Sequence, residues 1–316
     1  MAKIPIRLKT QSAKLNNNNM FKILAIDGGG IRGVYAAHIL KKINESFGVS
    51  FSECFDLIIG TSTGSIIAAG LATGVPIKQI VELYEKEGQN IFKRNLLGDY
   101  GIVRSKYCKS GLSEHLAKVF EERTLSETGT RLLIPATDIS NGTVHVFKSN
   151  YLDEFVRDTK VKIKDAILAS CSAPIYFDPQ KVNEYMLSDG GLWANNPALV
   201  GLVEATGKLK IPIAEVKILS IGTGIGKKYY DPARAGKAWG LIHWNPLNLV
   251  SLFLNLQSVA SQNMVQLMLP EDRYLRINFE SDDSLAMDDP RMIPLLKSKA
   301  DHDFTHNSQK IKALVQ

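Results

Sequence analysis

The stretch Phe55-Asp56-Leu57-Ile58-Ile59-Gly60-Thr61-Ser62-Thr63-Gly64-Ser65-Ile66-Ile67-Ala68-Ala69-Gly70 constrains the fold more than any other part of the chain. Residues 57–59 are a short apolar run stopped by a glycine, which reads as a buried strand. Residues 65–71 are small and apolar and read as a helix. Between them lies Gly60-x-Ser62-x-Gly64, the pattern of a nucleophile elbow, in which a sharp strand-to-helix turn pushes a serine hydroxyl out of the sheet. Glycines on either side let the backbone turn and keep other side chains away. The helix behind aims its N-terminal N–H groups at any negative charge that develops there. In a Gly/Ser-rich loop the same residues would carry little meaning. The strand before them and the helix after them predict a nucleophilic serine at position 62.

The rest of the chain supplies a setting for such a turn. Residues 21–26 read as a strand, followed by the glycine-rich turn Asp27-Gly28-Gly29-Gly30-Ile31-Arg32-Gly33 and a helix over 34–47 with apolar residues at helical spacing. Helices are predicted over 76–87, 112–123, 162–170 and from 196 to 204, and the C-terminus from residue 294 is read as helical. Strands are predicted over 132–137 and 144–148 around the hairpin signal Asn141-Gly142, and over 185–188, 216–221 and 274–278. Strands alternating with helices predict an α/β fold with a mainly parallel sheet covered on both faces. Residues 1–20 are basic and polar and read as a flexible arm, leaving 21–316 as one domain.

Composition narrows the function classes. A chain of 316 residues with 45% hydrophobic and 22% charged residues is an ordinary soluble globular protein. Its cysteines, Cys54, Cys108 and Cys171, are odd in number and widely spaced, which predicts reduced thiols in the cytoplasm and no metal-ligand spacing. No apolar run is long enough for a membrane span or a signal-peptide core. A net charge of +6 is a modest bias towards anionic partners such as lipid head groups or nucleotides. Nothing points to a nucleic acid polymer.

A nucleophilic serine needs an oxyanion hole and a base. The N–H groups of Gly28, Gly29 and Gly30 can approach a carbonyl oxygen closely, and Arg32 could steady the loop, the oxyanion or a phosphate. The same turn, Gly28-x-Gly30-x-x-Gly33, also fits a dinucleotide-binding site, and a Rossmann-type oxidoreductase or a non-catalytic binding module is the alternative reading. That reading wants an acidic residue where the second strand ends. Here that strand ends in Gly60-Thr61-Ser62, with Asp56 at its start, so the hydrolase reading ranks first. None of the histidines (His38, His115, His145, His243, His302, His306) stands at a strand end beside glycines. Asp189 does, directly after the strand 185–188 and before Gly190-Gly191, where open α/β sheets build their sites.

Taken together, Asp27-Gly28-Gly29-Gly30-Ile31-Arg32-Gly33, Gly60-Thr61-Ser62-Thr63-Gly64 and Asp189-Gly190-Gly191 resemble the patatin-like phospholipases. Supporting matches are Ala169-Ser170-Cys171-Ser172-Ala173-Pro174, Asn195-Asn196-Pro197 and Ser220-Ile221-Gly222-Thr223-Gly224, so the likeness runs over residues 21–224. The resemblance implies a three-layer α/β/α fold and a Ser–Asp dyad without histidine. In that dyad Ser62 is the nucleophile and Asp189 the base. Gly28, Gly29, Gly30 and Arg32 are placed at the oxyanion hole, and Gly33, Gly60, Gly64, Gly190 and Gly191 complete the motifs. It further implies hydrolysis of phospholipid acyl esters through an acyl-enzyme, with no cofactor or metal, at the inner membrane surface.

Two further segments carry expectations. Residues 244–270 contain no charged residue, and Asn248, Ser251, Asn255, Ser258, Gln262 and Gln266 form a neutral polar stripe on an otherwise apolar helix. The stripe is read as facing solvent or the active site; the sharper alternative is a lipid-facing or dimer-forming helix. A phospholipase loose in a bacterial cytoplasm also needs restraint. The compact chain is similar to phospholipase effectors that cyclic nucleotides switch on in antiphage signalling, which implies a cyclic di- or trinucleotide activator. Lys93, Arg94, Tyr100, Arg104, Lys106, Tyr107 and Lys109 form the basic and aromatic candidate for an activator site or a lid.

Overall fold

The computed structural model of the chain describes residues 20–91, 104–226, 232–236, 244, 246–281 and 285–316. Residues 1–19, nearly all of the expected N-terminal arm, lie outside them. In chain order the strands are β1 (Phe21–Ile26), β2 (Leu57–Gly60), β3 (Arg131–Asp138), β4 (Thr143–Lys148), β5 (Gln180–Val182), β6 (Tyr185–Asp189), β7 (Val216–Ile221), β8 (Ile225–Gly226), β9 (Tyr274–Ile277) and β10 (Glu280–Ser281). The helices are α1 (Gly33–Phe47), α2 (Phe51–Cys54), α3 (Thr63–Ala72), α4 (Ile77–Ile91), α5 (Ser110–Phe120), α6 (Ile163–Ser170), α7 (Gly191–Ala194), α8 (Ala198–Val203), α9 (Pro246–Met268) and α10 (Ile293–Val315).

The main sheet runs in the order β5-β6-β3-β2-β1-β7-β9, with β4 also paired to β3. The pairs β3–β2, β2–β1, β1–β7 and β7–β9 are parallel, and β4, β5 and β6 add antiparallel pairs at one side. Alternate residues of the central strands enter separate cores. Ile23, Ala25, Leu57 and Ile59 pack with Ala198 and Leu202 of α8 and Val265 and Leu269 beside them from the α9 side. Leu24, Ile26 and Ile58 pack on the other face with α1, α3, α4 and α10. Because helices cover both faces, the period-2 alternation of side chains is apolar on both sides, which is why these strands read as unbroken hydrophobic runs. The result is the expected three-layer α/β/α arrangement.

The chain steps from β1 to β2 to β3 in one direction and then returns to place β7 on the other side of β1. The crevice at such a reversal, beyond the strand ends, is where an open α/β sheet can admit a ligand. The turns after β1 and β2 both open there.

The placement of Asp189 differs from the simple expectation. Its strand β6 is antiparallel to β3, so Asp189 is not at a parallel strand's carboxyl end. β3 runs past the end of β2: Ile59 pairs with Leu133, and Asp189 pairs with Ala136. Continuing the first register three residues beyond Ile59 brings Ser62 level with Ala136, and so level with Asp189. An overlong β3 with an antiparallel partner thus returns the carboxylate to the elbow.

Candidate active site

Ser62 is the residue before α3 and has φ 52° and ψ −128°. A non-glycine residue at such a φ is strained by about 1–3 kcal/mol and persists only where its surroundings hold it. Here they do. The Ser62 N–H donates to Ser170 Oγ at 2.8 Å, and Ser170 Oγ donates to the Pro135 carbonyl at 2.6 Å. Thr61 Oγ1 donates to the Ala194 carbonyl at 2.6 Å, and Ser65 Oγ donates to the Ser62 carbonyl at 2.5 Å. The flanking glycines are required sterically. A Cβ on Gly64 would lie 2.5 Å from the Ile26 carbonyl oxygen and 2.6 Å from that of Asp27, and one on Gly60 would collide with the Gly64 carbonyl. The elbow therefore packs directly against the end of β1.

Ser62 Oγ donates a hydrogen bond to Asp189 Oδ2 at 2.7 Å. The other carboxylate oxygen accepts from the Gly191 N–H at 2.6 Å, and Thr137 Oγ1 donates to the Asp189 carbonyl at 2.7 Å. Gly190 packs so closely on the Pro135 carbonyl that a Cβ could not be accommodated. Burial pushes the Asp189 carboxyl up to about 7, against the opposing pull of the Gly191 and Ser62 hydrogen bonds. A carboxylate poised there is suited to accept a proton near neutral pH. Among the described histidines none lines the cavity around Ser62. His38 bonds Asp301, and His145 is packed against Phe147 and Tyr185. His243 lies outside the described residues.

The glycine turn is more differentiated than its residues suggested. The Gly28 N–H already donates to the Asn195 carbonyl at 3.0 Å, so it is occupied as an oxyanion donor. Among the described residues the Gly29 and Gly30 amides meet no protein acceptor, and both residues line the cavity beside Ser62. Gly30 has φ 62°, which turns its peptide away from the helical path. Arg32 is placed for holding the loop. Its Nε donates to the Gly29 carbonyl and its Nη1 to the Gly224 carbonyl, both at 3.1 Å, and the side chain is buried. The candidate hole is thus reduced to Gly29 and Gly30. Gly33, which opens α1, touches Tyr84, whose hydroxyl donates to the Thr63 carbonyl at 2.8 Å.

Arg276 on β9 was invisible to motif reading. It forms a two-pronged ion pair with Asp27, the first residue of the glycine turn, at 2.7 and 2.5 Å, and also donates to Ser220 Oγ at 2.8 Å. Both charges are almost fully buried. The clue was present: an arginine inside an apolar strand facing a core must find an anion. Arg276→Ala is expected to destabilise the protein by about 3–5 kcal/mol, because it strands the Asp27 carboxylate in the interior. Denaturant unfolding of the two proteins checks this, and a loss below about 1 kcal/mol would show the pair to be dispensable.

About 840 Å³ of space, open solvent at the mouth included, lies over Ser62. Its walls are mainly apolar, with Ile66, Leu112, Phe177, Leu192, Leu254 and Met287 among them, and Asp189, Asn195 and the Gly29–Gly30 turn at its polar end. Asn195 has a second task that its motif did not disclose: its Nδ2 donates to Ser258 Oγ of α9 at 2.8 Å. The Asn196 N–H donates to Gln257 Oε1 at 3.0 Å, and Ser261 Oγ donates to the Asn196 carbonyl at 2.9 Å. Part of the polar stripe of α9 therefore faces inward and braces the loop that underlies the cavity. Of the basic segment, Lys93, Arg94 and Tyr100 lie outside the described residues. Lys106 Nζ and Tyr107 Oη both bond Asp288, the latter at 2.7 Å, and Lys109 Nζ donates to Gln180 Oε1 at 3.2 Å. Arg104 is exposed on the same segment. Next to Asp288, the Met287 carbonyl accepts from the Ile31 N–H at 2.8 Å, so the strap ending the basic segment's contacts lies on the glycine turn.

A model of the family described as "Patatin-like phospholipase" matches residues 24–202. The chain is 32% identical over 283 residues to a cGAMP-activated phospholipase of Pseudomonas aeruginosa, covering 87% of this chain and 82% of that one. It is 32% identical over 240 residues to a cUMP-AMP-activated phospholipase of Escherichia coli, covering 71% of each. Among solved structures it is similar in fold to VipD from Legionella pneumophila, with a TM-score of 0.51 at 14% identity over 93% of this chain and 67% of that one.

Proposed function

The chain belongs to the patatin-like phospholipase family, hydrolases of acyl esters, and on that premise we propose that Ser62 and Asp189 carry out the hydrolysis as a dyad on membrane phospholipids. The observation that carries the proposal is the 2.7 Å hydrogen bond from Ser62 Oγ to Asp189 Oδ2 at the polar end of an apolar cavity. As Ser62 Oγ attacks the ester carbonyl carbon, its proton passes to Asp189. The carbonyl oxygen becomes an oxyanion facing the Gly29 and Gly30 amides and the N-terminal end of α1. Collapse of the tetrahedral intermediate breaks the C–O bond to the glycerol. The leaving alkoxide takes the proton from Asp189 and departs as the lysolipid. Water then gives a proton to Asp189 and adds to the acyl-enzyme, and a second collapse returns the proton to Ser62 and frees the fatty acid. The apolar wall suits the acyl chain.

The proposal extends to control. Relatives named for activation by cyclic dinucleotides support the same control here. A cyclic di- or trinucleotide at the basic segment would compete through its phosphates with Asp288 for Lys106, and so act on the Met287 strap over the glycine turn. The substrate layer under this reading is the cytoplasmic face of the inner membrane.

The test is an assay of the purified protein on phospholipid vesicles with a fluorophosphonate probe and a panel of cyclic di- and trinucleotides. We expect fatty acid release, probe attachment at Ser62, and at least about tenfold stimulation by one nucleotide, a change worth about 1.4 kcal/mol. Full activity without additive, and no thermal shift with any nucleotide, would remove the switch and leave a constitutive lipase. Absence of both labelling and hydrolysis under every condition would overturn the dyad.

A further inference from the structure

We infer that the outward face of α9 is the surface by which the protein docks on a lipid layer, an inference that rests on the phospholipase reading and says where the membrane meets the enzyme. Helical spacing places Phe253, Leu256, Ala260, Met264 and Leu267 on one side of α9, opposite Asn255, Ser258 and Gln262. Towards the protein α9 turns a mixed side, on which Val265 is fully buried in the core. Polar residues of the same side bond the rest of the protein: Ser258 accepts from Asn195, and Asn255 Nδ2 donates to the Gly226 carbonyl at 3.2 Å. The apolar side is turned out: Phe253 is 62% exposed, Leu256 54%, Met264 50% and Leu267 88%. Large side chains lined up and uncovered in this way mark an interaction surface.

Two features select lipid as the occupant. First, the face is continuous with the mouth of the catalytic cavity. Leu192 and Leu254 line that cavity and also the shallow apolar depression formed with Phe253, Leu256 and Ala260. A lipid layer lying on this face would present acyl chains at the mouth, whereas a second protein copy seated there would close it. Second, the stretch from Trp244 to Pro270 has no charged residue. A helix embedded at the acyl boundary must not carry charge into it, and this one carries none on either side.

The variant Met264→Glu/Leu267→Glu tests the inference, with Met264→Gln/Leu267→Gln to separate lost apolar contact from added charge. Both positions are exposed and lie outside the cavity walls. Binding is measured by cosedimentation with vesicles of phosphatidylethanolamine and phosphatidylglycerol, in a Ser62→Ala background so that the vesicles stay intact. Hydrolysis is measured in the Ser62 background on the same vesicles and on a soluble short-chain ester. We expect vesicle affinity and vesicle hydrolysis to fall at least about tenfold with the Glu pair and less with the Gln pair, the soluble ester being cleaved at the original rate. Unchanged vesicle binding would overturn the inference. So would a loss of self-association with vesicle binding intact, which would assign the face to a second copy. A lower melting temperature with vesicle binding intact would assign it to the chain's own contacts. If the unsubstituted protein cleaved neither substrate, with or without each cyclic nucleotide of the panel, while its vesicle binding still depended on these residues, docking would stand and the phospholipase reading would fall.

Discussion

Ser62→Ala is expected to abolish ester hydrolysis and leave the fold intact. The substitution removes one oxygen atom, which among the described residues bonds Asp189 and lies against the buried Cys171 thiol. The backbone N–H of position 62 keeps its acceptor, Ser170 Oγ, and its carbonyl keeps its donor, Ser65 Oγ. Alanine suffers the same strain at φ 52° that serine does. What is lost is the covalent route, and in serine hydrolases that loss amounts to at least about 10⁴-fold in rate, or about 5 kcal/mol of barrier. Initial rates on vesicles and on a soluble ester, with circular dichroism for the fold, check the expectation. Residual activity within about tenfold of the original would remove Ser62 from the mechanism.

Asp189→Asn is expected to lower the rate by about 10²–10⁴-fold, since an amide cannot accept the serine proton. Two accompanying observables set this position apart from a structural one. A base at this position would work only when ionised. With its carboxyl pushed up to about 7 by burial, kcat/KM should climb about tenfold per pH unit below 7 and level off above it. Stability should move the other way. The folded carboxyl binds its proton more tightly than the unfolded one, whose value is about 3.9. The folded state is therefore penalised as pH rises from about 4 to about 7 and carries the whole penalty above that, on the order of 4 kcal/mol. Asparagine has no charge to desolvate, so at pH 8 the variant should unfold at the same or a higher denaturant concentration. A rate loss accompanied by a stability loss would make Asp189 a structural residue. Single replacement of any of His38, His115, His145, His243, His302 or His306 should leave the rate within about tenfold of the original; one that matched Ser62→Ala while folded would require a triad.

The parts of the site that could be read from the sequence are those whose chemistry is local. A strand, a Gly-x-Ser-x-Gly turn and a helix fall within one short stretch, so period and residue type suffice to find them. Asp189 followed from its strand and its glycines, although the strand's antiparallel direction did not, because direction depends on which neighbour it pairs with. Arg276 stayed hidden because its partner Asp27 is distant in sequence and adjacent only after β7 and β9 have assembled. The occupation of the Gly28 amide by Asn195 depends equally on a loop far along the chain. For α9 the periodicity marked out a polar stripe, of which Asn255 and Ser258 bond the rest of the protein while Gln266 is exposed. Its inward side serves both the hydrogen-bonding needs of the Asn195-Asn196 loop and the core that Val265 enters, a combination that depends on residues far along the chain.

The backbone at Ser62 has a consequence for the history of such chains. A glycine would occupy φ 52° and ψ −128° with little strain, so the residue proposed as the nucleophile is one that folding alone would not choose. Mutational drift towards stability pulls this codon away from serine, and only purifying selection for turnover opposes it. In a lineage that kept the scaffold for lipid or nucleotide binding but gave up hydrolysis, position 62 should be among the first to decay, with glycine the favoured replacement. A glycine at this position in an otherwise intact elbow would then serve as a fossil of lost catalysis.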